Sequence, residues 1–151
     1  MHRFTQRVRY ADVDQMGWVY YGRYLTFFEV GRAEMMRSLG RSYAQIEREE
    51  GVLLPVLEAR CRYLRGARYD EAVTIETGIL TRGRATMKFG YRLIGEDGAT
   101  LALGFTEHCV VDSKGQPTRP PASLRAFLDR APVIEDALGR EMLGAITPPG
   151  R

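Results

Sequence analysis

The sequence predicts an α+β fold, and three observations carry that reading. One strand-like run precedes a long apolar helix, four more strand-like runs fill the second half of the chain, and a GEDG turn joins two of these as arms of an antiparallel hairpin. With 151 residues, 44% of them hydrophobic and 27% charged, the chain has the size and composition of one domain.

Between Arg3 and Tyr10, the residues Phe4, Gln6, Val8 and Tyr10 alternate with Thr5, Arg7 and Arg9, a period of two that marks a strand with one polar face. A loop follows. From Gly22 to Leu39 the residues Leu25, Phe28, Met35, Met36 and Leu39 keep helical spacing, while Phe27, Val30 and Ala33 widen the apolar face almost all round, so a mostly buried helix is expected. Gly31 in its middle costs about 1 kcal/mol relative to Ala, and close approach of the helix to a sheet accounts for it. Ser42 and Gln45 have capping-box spacing, so SYAQIEREE reads as a short surface helix ended by Gly51. The later strands span Leu54–Arg65, Ala72–Thr81, Ala85–Ile94 and Ala99–Asp112. The third alternates most clearly, with Met87, Phe89, Tyr91 and Leu93 on one face and Thr86, Lys88 and Arg92 on the other. A last helix is expected at Ser123–Arg130. Residues 1–131 are thus read as the domain, and 132–151 as a weakly patterned C-terminal tail, helical or disordered in part.

Net charge is +3, from 22 Lys and Arg against 19 Asp and Glu, and the positive charge is nearly all Arg. The arginines are spread among acids rather than clustered, which points away from nucleic acid and toward a small ligand carrying phosphates. No stretch approaches the ~18 apolar residues of a membrane span, and the start MHRFTQRVRY lacks the apolar core of a signal peptide. A cytoplasmic protein without membrane attachment is expected. Cys61 and Cys109 form no C-x-x-C and read as buried, reduced thiols. The two histidines, His2 and His108, make a poor inventory for a nucleophilic triad, and His108 reads as a hydrogen-bonded structural residue. No nucleotide loop, dinucleotide fingerprint or metal-ligand spacing is present, so neither metal nor organic cofactor is expected.

The chemistry concentrates in YADVDQMGWVYYGRYLTFFEVGR, Tyr10 to Arg32, where Asp12 and Asp14 sit between the first strand and the helix. A carboxylate beside a helix N-terminus can act as base or nucleophile, while free backbone N–H groups near Tyr21 and Gly22 donate to an oxygen gaining negative charge. The same aspartates also suit turn formation or N-capping. The residues alone leave both readings open.

The pattern of Tyr10, Asp12, Asp14, Gly17, Val19, Tyr21, Tyr24 and Leu25, followed by Glu29 and Arg32, resembles the signature of the 4-hydroxybenzoyl-CoA thioesterase family of hotdog-fold proteins. YLRGARYDEAVTIET is similar to that family's second and third strands, and the likeness runs from Arg3 to Arg130. It implies a hotdog fold, an antiparallel sheet wrapped around one long central helix, in a homodimer that assembles to a homotetramer. It implies an acyl-CoA substrate, Asp14 as the catalytic carboxylate, and the backbone N–H of Tyr21 as the group that polarises the thioester carbonyl. Asp12 falls on a position with a structural role. Several relatives carry His where this chain has Tyr21. Expected substrate contacts are Gly17, Trp18, Tyr24, Arg60, Arg62, Arg65, Arg84 and Lys88, with Arg82, Phe27 and Phe28 as further candidates. An acyl carrier protein as substrate carrier, and acyl-CoA binding without hydrolysis, are the alternatives.

Overall fold

Strands β1 (His2–Arg7), β2 (Val56–Tyr63), β3 (Ala72–Arg82), β4 (Thr86–Ile94) and β5 (Thr100–Cys109) form one antiparallel sheet in the order β1-β3-β4-β5-β2. The computed structural model describes residues 1–144 and, of Asp136, the backbone alone. Helix α1 (Arg23–Ser38) packs along the sheet, α2 (Tyr43–Glu50) follows it, and α3 (Ala122–Arg130) and α4 (Asp136–Leu143) close the described chain. This is the α+β hotdog arrangement expected from the sequence. Among the described residues no helix is long and apolar enough to cross a membrane.

The helix meets the sheet with no space to spare. A Cβ on Gly31 would lie 2.5 Å from Ile75 Cγ2 and 2.5 Å from Thr77 Oγ1 on β3, the close approach its sequence position implied. Phe28 stacks on Tyr91 at 4.4 Å with the rings 5° from parallel. The face of α1 turned from the sheet is less apolar in effect than expected, with Leu25 41% exposed. The Ser42 capping box forms as predicted, and Gly51 ends α2 in the left-handed region.

Four elements depart from their expected bounds, among them β5, which ends at Cys109 rather than Asp112. β1 stops at Arg7 because Tyr10–Asp12 winds into a 3-10 turn, which leaves Tyr10 80% exposed instead of on the inner face. β2 is shorter than Leu54–Arg65 and exposed over most of its length, because it is an edge strand. The tail assigned to 132–151 contains α4, while residues 145–151 lie outside the described residues. Pro132 and Ile134 extend the sheet edge, with the Ile79 N–H donating to the Pro132 carbonyl at 2.8 Å and the Ile134 N–H to the Ile79 carbonyl at 2.9 Å. α4 then crosses the outer face over a dimple made by Gly78 and Gly90, register partners on β3 and β4. A Cβ on Gly90 would meet Ile134 Cδ1 at 2.5 Å and Met142 Sδ at 2.7 Å. Cys61 and Cys109 are free but half-buried, less enclosed than expected.

A directed chain of hydrogen bonds locks α1 to the sheet. Arg32 donates to the Tyr91 hydroxyl at 3.3 Å, and the Tyr91 hydroxyl and Thr106 Oγ1 are 2.7 Å apart. Thr106 reaches His108 Nε2 at 2.8 Å, and His108 Nδ1 bonds the Leu54 carbonyl at 3.0 Å. Since a carbonyl only accepts, Nδ1 carries the proton and Nε2 is the acceptor. Burial, then the Arg32 charge, lowers the His108 pKa from 6.5 to about 4. The unfolded chain therefore binds the extra proton first, and this contribution to stability, complete above pH 6.5, is lost as pH falls toward 4. Between pH 7 and pH 4.5 the loss is expected to be on the order of 2 kcal/mol by denaturant titration. His108→Gln should flatten that part of the profile, and an equally steep profile in the variant would assign it to other groups.

Candidate active site

The chain after β1 closes into a tight loop. The Asp14 N–H donates to the Trp18 carbonyl at 2.8 Å and the Gly17 N–H to the Asp14 carbonyl at 3.0 Å. Gly17 takes φ of +78°, a conformation that favours glycine. Asp14 Oδ1 accepts the Met16 N–H at 2.8 Å, which fixes the carboxylate, while Oδ2 accepts no hydrogen bond among the described residues. The loop is zipped to the segment after β2 by an antiparallel bridge between Trp18 and Arg68 and by the Val19 N–H donating to the Ala67 carbonyl at 2.9 Å.

Asp12 has the opposite environment. It is 1% exposed and accepts from the Arg9 N–H at 2.9 Å and from Arg9 Nε and Nη2 at 3.0 Å each, with Arg23 Nε 3.7 Å away. These bonds, led by the Arg9 side chain, hold its pKa below the usual carboxylate value. Asp12 is consumed by the fold, whereas Asp14 keeps an oxygen available.

Helix α1 begins at this loop. Its N-cap, Gly22, offers no side-chain cap, and the N–H groups of Tyr21 and Gly22 donate to no acceptor among the described residues. Both peptides are nevertheless held from their carbonyl sides. The Tyr20 carbonyl accepts the Arg23 N–H at 2.8 Å, and the Tyr21 carbonyl accepts the Tyr63 hydroxyl at 3.1 Å. Two fixed donors thus stand at the positive end of a 16-residue helix, whose first turn begins beside the Asp14 loop.

Asp14, Tyr21, Trp18, Tyr24 and Arg65 line one cleft of about 300 Å³, joined by Tyr63. Asp14 and Gly17 also line a second cleft, of about 440 Å³, beside Tyr10 and Tyr69, whose rings meet edge to face at 5.7 Å. The sequence-based set is thus brought together in its first part and dispersed in the rest. Phe27 and Phe28 are fully buried core residues and reach neither cleft. Arg60 and Arg62 line a different cleft, of about 450 Å³, beside the end of α4, where Arg60 donates to the Leu143 carbonyl at 3.0 Å. Arg82, Arg84 and Lys88 sit where β3 turns into β4, the end of the sheet remote from Asp14, and a strand as long as β3 extends about 33 Å. Lys88 there pairs with Glu107 at 3.2 Å. Arg65 is at the right end but is engaged by Asp97 and by Glu71, the latter at 3.7 Å.

Sequence reasoning missed Tyr63, Tyr10 and Tyr69, which line the clefts with Asp14, and Arg68, which lies over Trp18. The signal was the antiparallel order itself. β1 runs toward the Asp14 loop and β3 leaves from the same end, so the GARYDE connection before β3 lies beside that loop. Among the described residues no group of three His, Cys, Asp or Glu is placed to hold a metal ion.

Residues 8–128 match the thioesterase-like superfamily. The acyl-CoA thioesterase YbgC of Haemophilus influenzae is 30% identical over 123 residues, 82% of this chain and 90% of that protein. The 1,4-dihydroxy-2-naphthoyl-CoA hydrolase of Thermosynechococcus vestitus is 30% identical over 141 residues, 91% of this chain and 94% of that protein. The structure of a DHNA-CoA thioesterase from Staphylococcus aureus superposes with a TM-score of 0.74 at 31% identity, covering 78% of each chain. The match over most of the chain, on a hotdog sheet with its helix N-terminus open beside an aspartate, makes this protein a member of the thioesterase-like superfamily.

Proposed function

We propose that this protein hydrolyses an acyl-CoA thioester to a carboxylic acid and free CoA, in the manner of the 4-hydroxybenzoyl-CoA thioesterases its motif resembles. The observation that carries this reading is that Asp14, with an oxygen left available, and Tyr21, whose N–H donates to no acceptor among the described residues, line one cleft at the start of α1. The relatives' activities, acyl-CoA and 1,4-dihydroxy-2-naphthoyl-CoA hydrolysis, support it.

In this mechanism the thioester carbonyl oxygen accepts the Tyr21 N–H, and its growing negative charge lies at the positive end of α1. A donor of this kind is worth about 2.7 to 4 kcal/mol in other acyl-transfer enzymes. Asp14 attacks the carbonyl carbon, the C–S bond breaks with CoA leaving as the thiolate, and water then hydrolyses the mixed anhydride to the acid, returning the Asp14 carboxylate; or Asp14 takes a proton from the water that attacks and passes it to the sulfur as the C–S bond breaks. The two clefts meeting at Asp14 give the acyl and pantetheine arms separate paths. The chemistry calls on a carboxylate and backbone donors, without a cofactor.

The assembly proposed is a homodimer through β2. That strand presents an unpaired edge, with Val56 and Leu57 more than half exposed. Pairing of two β2 strands about a twofold axis is antiparallel, which sets the Arg84 and Lys88 end of one protomer at the Asp14 end of the other. The remote basic residues then reach CoA phosphates from the partner. The homotetramer that the resemblance implies would be two such dimers paired. Sedimentation should give at least a dimer at micromolar concentration, and a monomer would remove this account of Arg84 and Lys88. KM for acyl-CoA should rise with salt, while a thioester lacking the nucleotide responds little.

Asp14→Asn should lower hydrolysis at least ~10²-fold, the lower range for losing a general base, with acyl-CoA binding and melting temperature near wild type. Asp12→Asn should act through the fold instead. Losing charge-assisted hydrogen bonds at a buried carboxylate costs about 1.5 to 3 kcal/mol, and its activity loss should track its melting temperature. Wild-type turnover in Asp14→Asn would end the catalytic reading.

A further inference from the structure

Arg68 carries a charge that the fold does not consume. At this end of the sheet Arg7 pairs with Glu96 at 3.3 Å, Arg9 with Asp12 at 3.0 Å, and Arg65 with Glu71 at 3.7 Å. Among the described residues no carboxylate lies within salt-bridge distance of the Arg68 side chain, whose backbone N–H alone reaches a carboxylate, that of Glu71 at 3.1 Å. Its guanidinium lies instead over the Trp18 indole, with Cζ 3.7 Å from the ring centroid. The next shortest cation–aromatic contact among the described residues, Lys88 over Phe105, is 4.8 Å.

The indole is held from Gly66 as well. A Cβ on Gly66 would fall 2.7 Å from Trp18 Cε3, so the ring rests directly on that backbone. Trp18 and Gly66 both line the cleft that contains Asp14 and Tyr21. The backbone bridge between Trp18 and Arg68 and the Val19 to Ala67 hydrogen bond join the same two segments. The side-chain stack therefore fastens the loop that carries Asp14 to one wall of its own cleft.

We propose that Arg68 is a positioning residue: stacked on Trp18, it clamps the Asp14 loop against the segment 64–68 and so sets where the carboxylate stands relative to the α1 N-terminus. The kinetic readout rests on the thioesterase reading; the clamp itself does not. An exposed cation–π contact biases a two-state loop about fivefold, equivalent to ~1 kcal/mol. The effect is expected chiefly on the ordering of the loop, with only a small shift in melting temperature.

Trp18 is the only tryptophan in the chain, so intrinsic fluorescence reports the clamp directly. The full chain is compared as wild type, Arg68→Met, Arg68→Lys, Trp18→Leu and the double variant Trp18→Leu/Arg68→Met. Without substrate, Arg68→Met should lower the anisotropy of Trp18 emission and shift it to the red, with a melting temperature lower by no more than a few degrees (about 2 to 4 °C), and Arg68→Lys should recover part of the signal. kcat should fall about fivefold in Arg68→Met for acyl-CoA and for an acyl-pantetheine thioester alike, and the double variant should be no slower than Trp18→Leu. Unchanged fluorescence in Arg68→Met overturns the proposal, as does a double variant that loses the product of the single losses. A rise in KM confined to acyl-CoA makes Arg68 a phosphate ligand and also overturns it. A wild type inactive on every thioester removes the thioesterase reading while the fluorescence still decides the clamp.

Discussion

The contact of α1 with β3 at Gly31 leaves no room for a side chain, and the rest of the structure depends on it. A helix this close to a sheet has one axial position and little freedom to slide, because Phe28 on Tyr91 and the Arg32–Tyr91–Thr106–His108 chain pin it further along. Its N-terminus is thereby delivered to the end of the sheet where β1 ends and β3 begins. The open N–H groups of Tyr21 and Gly22 are a consequence of where the core puts the helix, and of a glycine N-cap that offers no side chain to satisfy them.

Two aspartates two residues apart serve different ends because of what surrounds them. Asp12 is buried under Arg9 and Arg23, and its bonds wind the chain out of β1 into the turn that aims the following loop. Asp14 lies at the rim, held by one N–H, with an oxygen left for other work. The structural aspartate thus builds the geometry that the available one uses. Arg68 and Trp18 complete the frame from the opposite segment.

The alternation of β4, the glycine in α1 and the Ser42 capping box were legible in the sequence because each is a local pattern with a local cause. The end of β1 was not, since Val8 and Tyr10 continue the strand's alternation and only the buried Asp12 to Arg9 bonds interrupt it. For the site, the residues within Tyr10 to Arg32 came from one contiguous stretch, and five of them, Asp14, Gly17, Trp18, Tyr21 and Tyr24, do line the clefts. The basic residues were harder, because alternation cannot tell which end of a sheet a strand residue occupies; pairing can, and it puts Arg84 and Lys88 at the far end. α4 escaped a definite assignment because its pattern is short, and its place depends on Gly78 and Gly90, far off in sequence, being opposite each other.

The central claim is that the thioester carbonyl sits between Asp14 and the N-terminus of α1. The most direct measurement is a crystal structure with an acyl-CoA analogue in which a methylene separates the sulfur from the carbonyl, so that nothing can be hydrolysed. The account predicts the analogue's carbonyl oxygen about 3 Å from the Tyr21 N, with the Asp14 carboxylate facing the carbonyl carbon directly or through one water. An analogue bound with its carbonyl away from the Tyr21 N–H and from Asp14 would contradict it.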